Sequence, residues 1–194
     1  MANEKFIVTT AKNQFQIIIR NLLCPSGYFF LINCNDSISL LRMVRSYNPD
    51  FVVIDMDCVD REMIRTIETI DEELLSSIIL VGDNPSFDID NLIEKTFVTS
   101  KCSFDIDRVV LSNIIDVSML SFNRVSILSK KLKDMTDNYE TRKLVERAKW
   151  ILMDQNDISE RDAYERMRKK SMNTRISMKQ IAEAVIYTND IKNG

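Results

Sequence analysis

The sequence predicts two architectures in one chain: an α/β half built on a doubly wound parallel sheet, then an all-helical half. Three observations predict this. Apolar runs alternate with amphipathic stretches five times in about the first 104 residues. Neither glycine nor proline occurs between Ser86 and Asn193. The charge changes sign along the chain: residues 1–120 hold 10 basic and 18 acidic side chains, and residues 121–194 hold 16 and 11.

Each element has its own signal. "KFIVTT" is a short apolar strand. "QFQIIIRNLL" repeats apolar residues at helical spacing. "GYFFLIN" is a second strand, entered through Pro25 and Gly27. "DSISLLRMVRSY" is a helix with Asp36 or Ser37 as its N-cap. "DFVVID" is the third strand, "REMIRTIETI" a helix, "SSIILVG" the fourth strand, "FDIDNLIEK" a short helix and "TFVTS" the fifth strand. Strands that are apolar throughout are buried on both faces, which requires helices on each side of a parallel sheet. Five such repeats give the flavodoxin-like doubly wound fold over residues 1–104.

From about Phe104 the pattern is helical, and residues 105–153 read as nearly continuous helix. Val125, Leu128, Leu132, Met135 and Tyr139 follow a 3,4 spacing, the seam of a coiled coil between two copies, within a linker over residues 105–139. Residues 140–194 complete a three-helix unit. Ser159 caps one helix with Asp162 three positions on, and Ser177 and Gln180 form a capping box before "IAEAVIYT".

The composition excludes most enzyme chemistry. The chain has no histidine, which removes Ser-His-Asp and Cys-His nucleophile systems and histidine-ligated metals. Its three glycines cannot form a phosphate-cradling loop. The four cysteines lack paired metal spacing and read as free, mostly buried thiols. No cofactor is expected. No apolar stretch approaches the ~20 residues of a membrane span, and "MANEKFIVTT" is no signal peptide, so a cytoplasmic location without membrane contact is the expectation. The net +5 on the second half makes it the candidate for nucleic acid.

"RKLVERAKWILM" followed by "ISERDAYERMRKKSMNTRISMKQIAEAVI" resembles the ANTAR domain, the RNA-binding module of bacterial transcription antiterminators. The resemblance covers about residues 140–187. It includes Arg142 ahead of Ala148-Lys149, the triplet Ile151-Leu152-Met153, then Ser159, Ala163 and Arg168, and finally Ile181-Ala182 ahead of Ala184. Trp150 departs, since the family usually has glycine there; the ring is suited to stacking a base, to the core or to a dimer contact. The resemblance implies a homodimer that binds paired stem-loops in nascent leader mRNA and prevents a terminator from forming. Arg142, Lys149 and Arg168 are the implied RNA contacts, with Lys169 and Arg175 as peripheral phosphate contacts. Ala148, Leu152, Ala163, Met167, Ile181 and Ala184 read as core.

The first half resembles the receiver domain of two-component response regulators. "NPDFVVID" resembles its third strand and puts Asp55 in the phosphoacceptor position, with Lys101 near the receiver's lysine. The receiver's two acids after strand one are absent: Thr9 and Thr10 stand there. Val81 and Gly82 stand where a hydroxyl would sense the phosphoryl group, and Cys102 replaces a proline. Magnesium wants hard carboxylate oxygens, and neutral hydroxyls do not replace their attraction for a divalent ion. The expectation is a pseudo-receiver with Asp55 a vestigial phosphoacceptor, and a regulatory protein partner or dimerisation as its input. The alternatives are a conventional response regulator phosphorylated at Asp55, and a protein–protein adaptor whose basic helices meet an acidic partner.

Overall fold

The structure is a computed structural model that describes residues 4–83, 88–97 and 99–193. It divides into two compact units, Met1–Leu128 and Ser129–Gly194. This division falls inside the segment 105–139 that the sequence marks as linker.

In the first unit five parallel strands lie in the order β2-β1-β3-β4-β5: β1 (Lys5–Thr9), β2 (Phe29–Cys34), β3 (Phe51–Asp55), β4 (Ser77–Val81) and β5 (Thr99–Cys102). Four helices connect them: α1 (Asn13–Leu23), α2 (Ser37–Tyr47), α3 (Arg61–Glu72) and α4 (Ile89–Lys95). Alternate residues of the central strands point to opposite faces. Ile7, Val52, Ile54, Ile78 and Leu80 bury one face with Leu40 and Val44 of α2, Met63, Ile67 and Ile70 of α3, and Ile89 and Leu92 of α4. Phe6, Val8, Phe51, Val53, Ile79 and Val81 bury the other with Phe15, Ile19 and Leu23 of α1. That second face also takes Leu111 and Ile115, which open the long helix α5 (Arg108–Asn156). The start of α5 therefore packs on the sheet because it carries core residues of its own.

The edge strands differ most from expectation. β5 is Thr99–Cys102, so Lys101 lies within the strand. Val98, expected in that strand, and Phe87, expected to open α4, lie outside the described residues. Asp36 caps α2 by accepting from Ser39 N at 2.8 Å, which holds its carboxyl below the usual range. Cys34 and Cys102 are buried, and burial pushes both thiols up to about 11, whereas Cys58 is half-buried and Cys24 exposed. The cysteines are thus less uniformly buried than expected.

In the second unit the rest of α5 meets α6 (Glu160–Thr174) and α7 (Met178–Asn193). Val145, Ala148, Met167, Ile181, Ala182 and Ile186 form the core, with Leu152 partly buried beside it. Ala163 is fully buried as expected. Ala184 is exposed, and the core takes Ala182 instead, because Ala182 follows Ile181 on the inward side of α7 while position 184 turns outward. Both caps form. Ser159 Oγ accepts from Asp162 N at 3.2 Å, Ser177 Oγ accepts from Gln180 N at 3.3 Å, and Gln180 Oε1 accepts from Ser177 N at 3.2 Å.

Candidate functional sites: a closed carboxylate site and an open basic surface

The carboxylate site sits at the carboxyl ends of β1 and β3, where the strand order reverses and doubly wound folds bind ligands. Asp55 ends β3 and is 3% exposed. Its Oδ2 accepts from Thr10 Oγ1 at 2.8 Å and its Oδ1 from Asp57 N at 3.1 Å. A buried carboxylate without such donors is costly, so Thr10 has a structural task. Thr10 Oγ1 also accepts from Lys12 N at 3.0 Å, which fixes the turn after β1.

Sequence reasoning missed Lys12. Its ammonium pairs with Asp57, and that hydrogen bond raises its pKa. The pair is solvent-exposed and adds little stability, but it places a fixed positive charge beside the carboxylates. The available signal was a lysine two positions after the Thr9–Thr10 pair.

Other groups around this site are also engaged. Asp83 accepts from Ser103 Oγ and, at 3.3 Å, from Phe104 N. Lys101 pairs with Asp90 of α4 rather than with Asp55. Gly82 has φ 153°, and a Cβ there would lie 2.9 Å from Met56 Cβ, so backbone passes against side chain where a receiver has a hydroxyl residue. A cavity of about 430 Å³ opens among Lys12, Phe15, Asp55, Asp57, Asp83 and Phe104.

The magnesium ion that the receiver resemblance implies does not fit this donor set. Two threonines stand in place of carboxylates; Asp55 accepts from one of them, Thr10, and Asp57 faces the Lys12 ammonium. Among the described residues no group of three or more His, Cys, Asp or Glu could hold a metal ion.

The helical unit shows the opposite state. Arg142, Arg161, Arg166, Lys169 and Arg175 are exposed and form no ion pair among the described residues. Arg175 ends α6 at φ 56°, where its backbone N–H bonds Ser171 O. Arg168 is exposed with a loose contact to Glu165 at 3.8 Å.

Lys149 departs from expectation. It is 7% exposed, and its ammonium lies 2.8 Å from Glu146 Oε1 and 2.6 Å from Glu160 Oε1. Glu146 and then Glu160 raise its pKa. It therefore fastens α5 to the first turn of α6 instead of lying open to phosphate. Two helical turns separate it from Arg142, yet it falls at the edge of the packed face. Trp150 is 68% exposed, which removes it from the core. Val125 of the expected seam is half-buried, while Leu128, Leu132, Met135 and Tyr139 are exposed.

These two regions define a class by architecture: a receiver-like doubly wound domain followed in the same chain by a three-helix unit. The ANTAR domain family matches residues 133–186. The chain is 24% identical over 173 residues to the transcriptional regulatory protein PdtaR of Mycobacterium tuberculosis (strains CDC 1551 / Oshkosh and H37Rv), covering 88% of this chain and 83% of that protein. Two solved structures match the fold of the first unit. The signal receiver domain of an HD domain-containing protein from Pseudomonas fluorescens Pf-5 has a TM-score of 0.56 at 12% identity, over 65% of this chain and 93% of that one. The N-terminal domain of a response regulator/sensory box/GGDEF three-domain protein from Carboxydothermus hydrogenoformans has 0.53 at 14%, over 63% and 99%. Among the described residues no helix is long and apolar enough to cross a membrane.

Proposed function

We propose that this chain is an RNA-binding antitermination regulator whose receiver-fold domain works without phosphorylation. The observation that supports it most is the set of exposed, unpaired cations on the ANTAR unit: Arg142, Arg161, Arg166, Lys169 and Arg175. Sequence-specific RNA readers take hairpin loops with splayed bases and hold the backbone through Lys and Arg. Arg168 belongs to this surface, since a 3.8 Å contact to Glu165 is readily exchanged for a phosphate. Lys149 acts beneath it as a positioning residue.

In this reading two copies pair through the exposed apolar face of α5, at Leu128, Leu132, Met135 and Tyr139, with Val125 at its edge. Each copy then engages one of two adjacent stem-loops, and the captured RNA cannot fold into a terminator. The chain catalyses nothing itself and acts in the cytoplasm. Its input is a protein partner or its own concentration, because Thr10 and Lys12 already occupy the oxygens of Asp55 and Asp57 that a phosphoryl-metal assembly needs.

Selection of RNA from a transcript library by the full chain tests this. The expected product is a set of hairpins whose affinity falls with salt along a log–log slope of about −3.5 per copy, as five phosphate contacts to flexible RNA imply. Failure to enrich any hairpin, with capture of an acidic protein instead, replaces this reading with the adaptor.

A further inference from the structure

Tyr139 and Trp150 of α5, both in the second unit, stand eleven apart in sequence. Eleven residues are about three helical turns, so the step drifts only about 20° around the axis. Leu132 and Met135 fall on the same stripe, and Leu132 and Trp150 are separated by 18 residues, about five turns. Each of these four side chains leaves between 67% and 72% of its surface exposed. Ala148, two positions before Trp150, is fully buried in the helical unit's core. Trp150 therefore points away from that core, along the line of Tyr139 and Leu132.

We infer that Trp150 is part of the contact between two copies of this chain, so that the α5 seam runs about three turns further along the ANTAR-matching stretch instead of ending at Tyr139. This rests on the dimer proposed above and extends it. The size of the stripe fits a second copy. Four large apolar side chains exposed to this degree present on the order of 600 Å² per chain, the low end of what a stable interface takes from each partner. Arg142 and Glu146 lie between Tyr139 and Trp150 at the stripe, and Glu146 is already paired with Lys149.

The surroundings of Trp150 disfavour the other use of its ring. Glu146 and Asp154 lie four residues before and after it, on the same helix face, and both are exposed. A base stacked on Trp150 would carry its phosphates between two carboxylates. In a dimer seam the same carboxylates flank the contact and stay in water.

Trp150 is the only tryptophan, so its fluorescence reports this position directly. Emission of the full chain is recorded over a dilution series, with sedimentation measured on the same samples. The expected result is a blue shift that follows dimer formation and is lost in Leu132→Asp, together with at least tenfold weaker dimerisation in Trp150→Ala. If the dimer forms and Leu132→Asp dissociates it while the emission stays that of an exposed indole, the extension to Trp150 is wrong and the shorter seam stands. The extension is equally wrong if only added hairpin RNA quenches the emission. A chain that sediments as a monomer throughout, or a dimer indifferent to Leu132→Asp, overturns the dimer and the longer seam together.

Discussion

The carboxylate site of the sheet and the open arginines of the helical unit treat charge in opposite ways, although other cations of the helices, Arg147, Lys149 and Lys179, are paired. At the carboxyl ends of the sheet the groups are engaged with one another: Thr10 with Asp55, Lys12 with Asp57, Lys101 with Asp90 and Ser103 with Asp83. On the helices, Arg142, Arg161, Arg166, Lys169 and Arg175 are left open to solvent. Engaged groups hold a fold together, and open ones are available to a partner. In the proposed reading the groups at the sheet's site serve structure, and the helical unit presents the surface for recognition.

The largest expected effect lies in the helical core beneath the open surface. Met167→Ala removes a side chain that is 1% exposed and is expected to cost about 3 kcal/mol. Urea unfolding followed by Trp150 fluorescence should show this loss, and RNA binding should fall with it. Unchanged unfolding would mean that the helical unit lacks the packed core described.

Thr10→Val acts on the engaged side of the contrast. It leaves a buried carboxylate short of one donor, at a cost of about 2 kcal/mol. Denaturation should register this, and RNA affinity at a temperature where the fold persists should not. Ser177→Ala removes the capping-box hydroxyl of α7 and is expected to cost about 1 kcal/mol, read as a lower thermal midpoint.

The smallest effect is a pH dependence. The folded pKa of Lys149 is raised, so its contacts with Glu146 and Glu160 contribute fully below its unfolded value of about 10.4 and are lost as pH rises through the folded one. Stability between pH 7 and 9 should therefore show no change from this group. The alkaline loss should emerge only above that range and be absent in Lys149→Met.

The fold was legible because apolar strands and amphipathic helices alternate without interruption. The order of elements, the five strands and the caps at Asp36, Ser159 and Ser177 all follow from local patterns. β5 departs from its expected bounds by a few residues because "TFVTSKC" is weakly apolar throughout and an edge strand needs no fully buried run. The site was legible in its negative half, the missing carboxylates at Thr9 and Thr10. Lys12 was not, since an exposed ion pair between residues 45 positions apart leaves no periodic trace. Lys149 differs from expectation for a related reason. Its partner Glu160 lies on the next helix, and a resemblance that includes Lys149 does not say whether the lysine touches RNA or supports the helices that do.

The most direct measurement is the affinity of the full chain for a selected hairpin, compared among the native protein, Asp55→Asn and the triple variant Arg142→Ala, Arg168→Ala, Arg175→Ala, with and without acetyl phosphate and magnesium. Asp55→Asn and the phosphate donor should each change affinity less than twofold. The triple variant should weaken it about a hundredfold or more, as three lost charge contacts of roughly 1 kcal/mol or more each require. An affinity that responds to acetyl phosphate through Asp55, or that survives loss of the three arginines, would contradict recognition by an open arginine surface beside a silent receiver site.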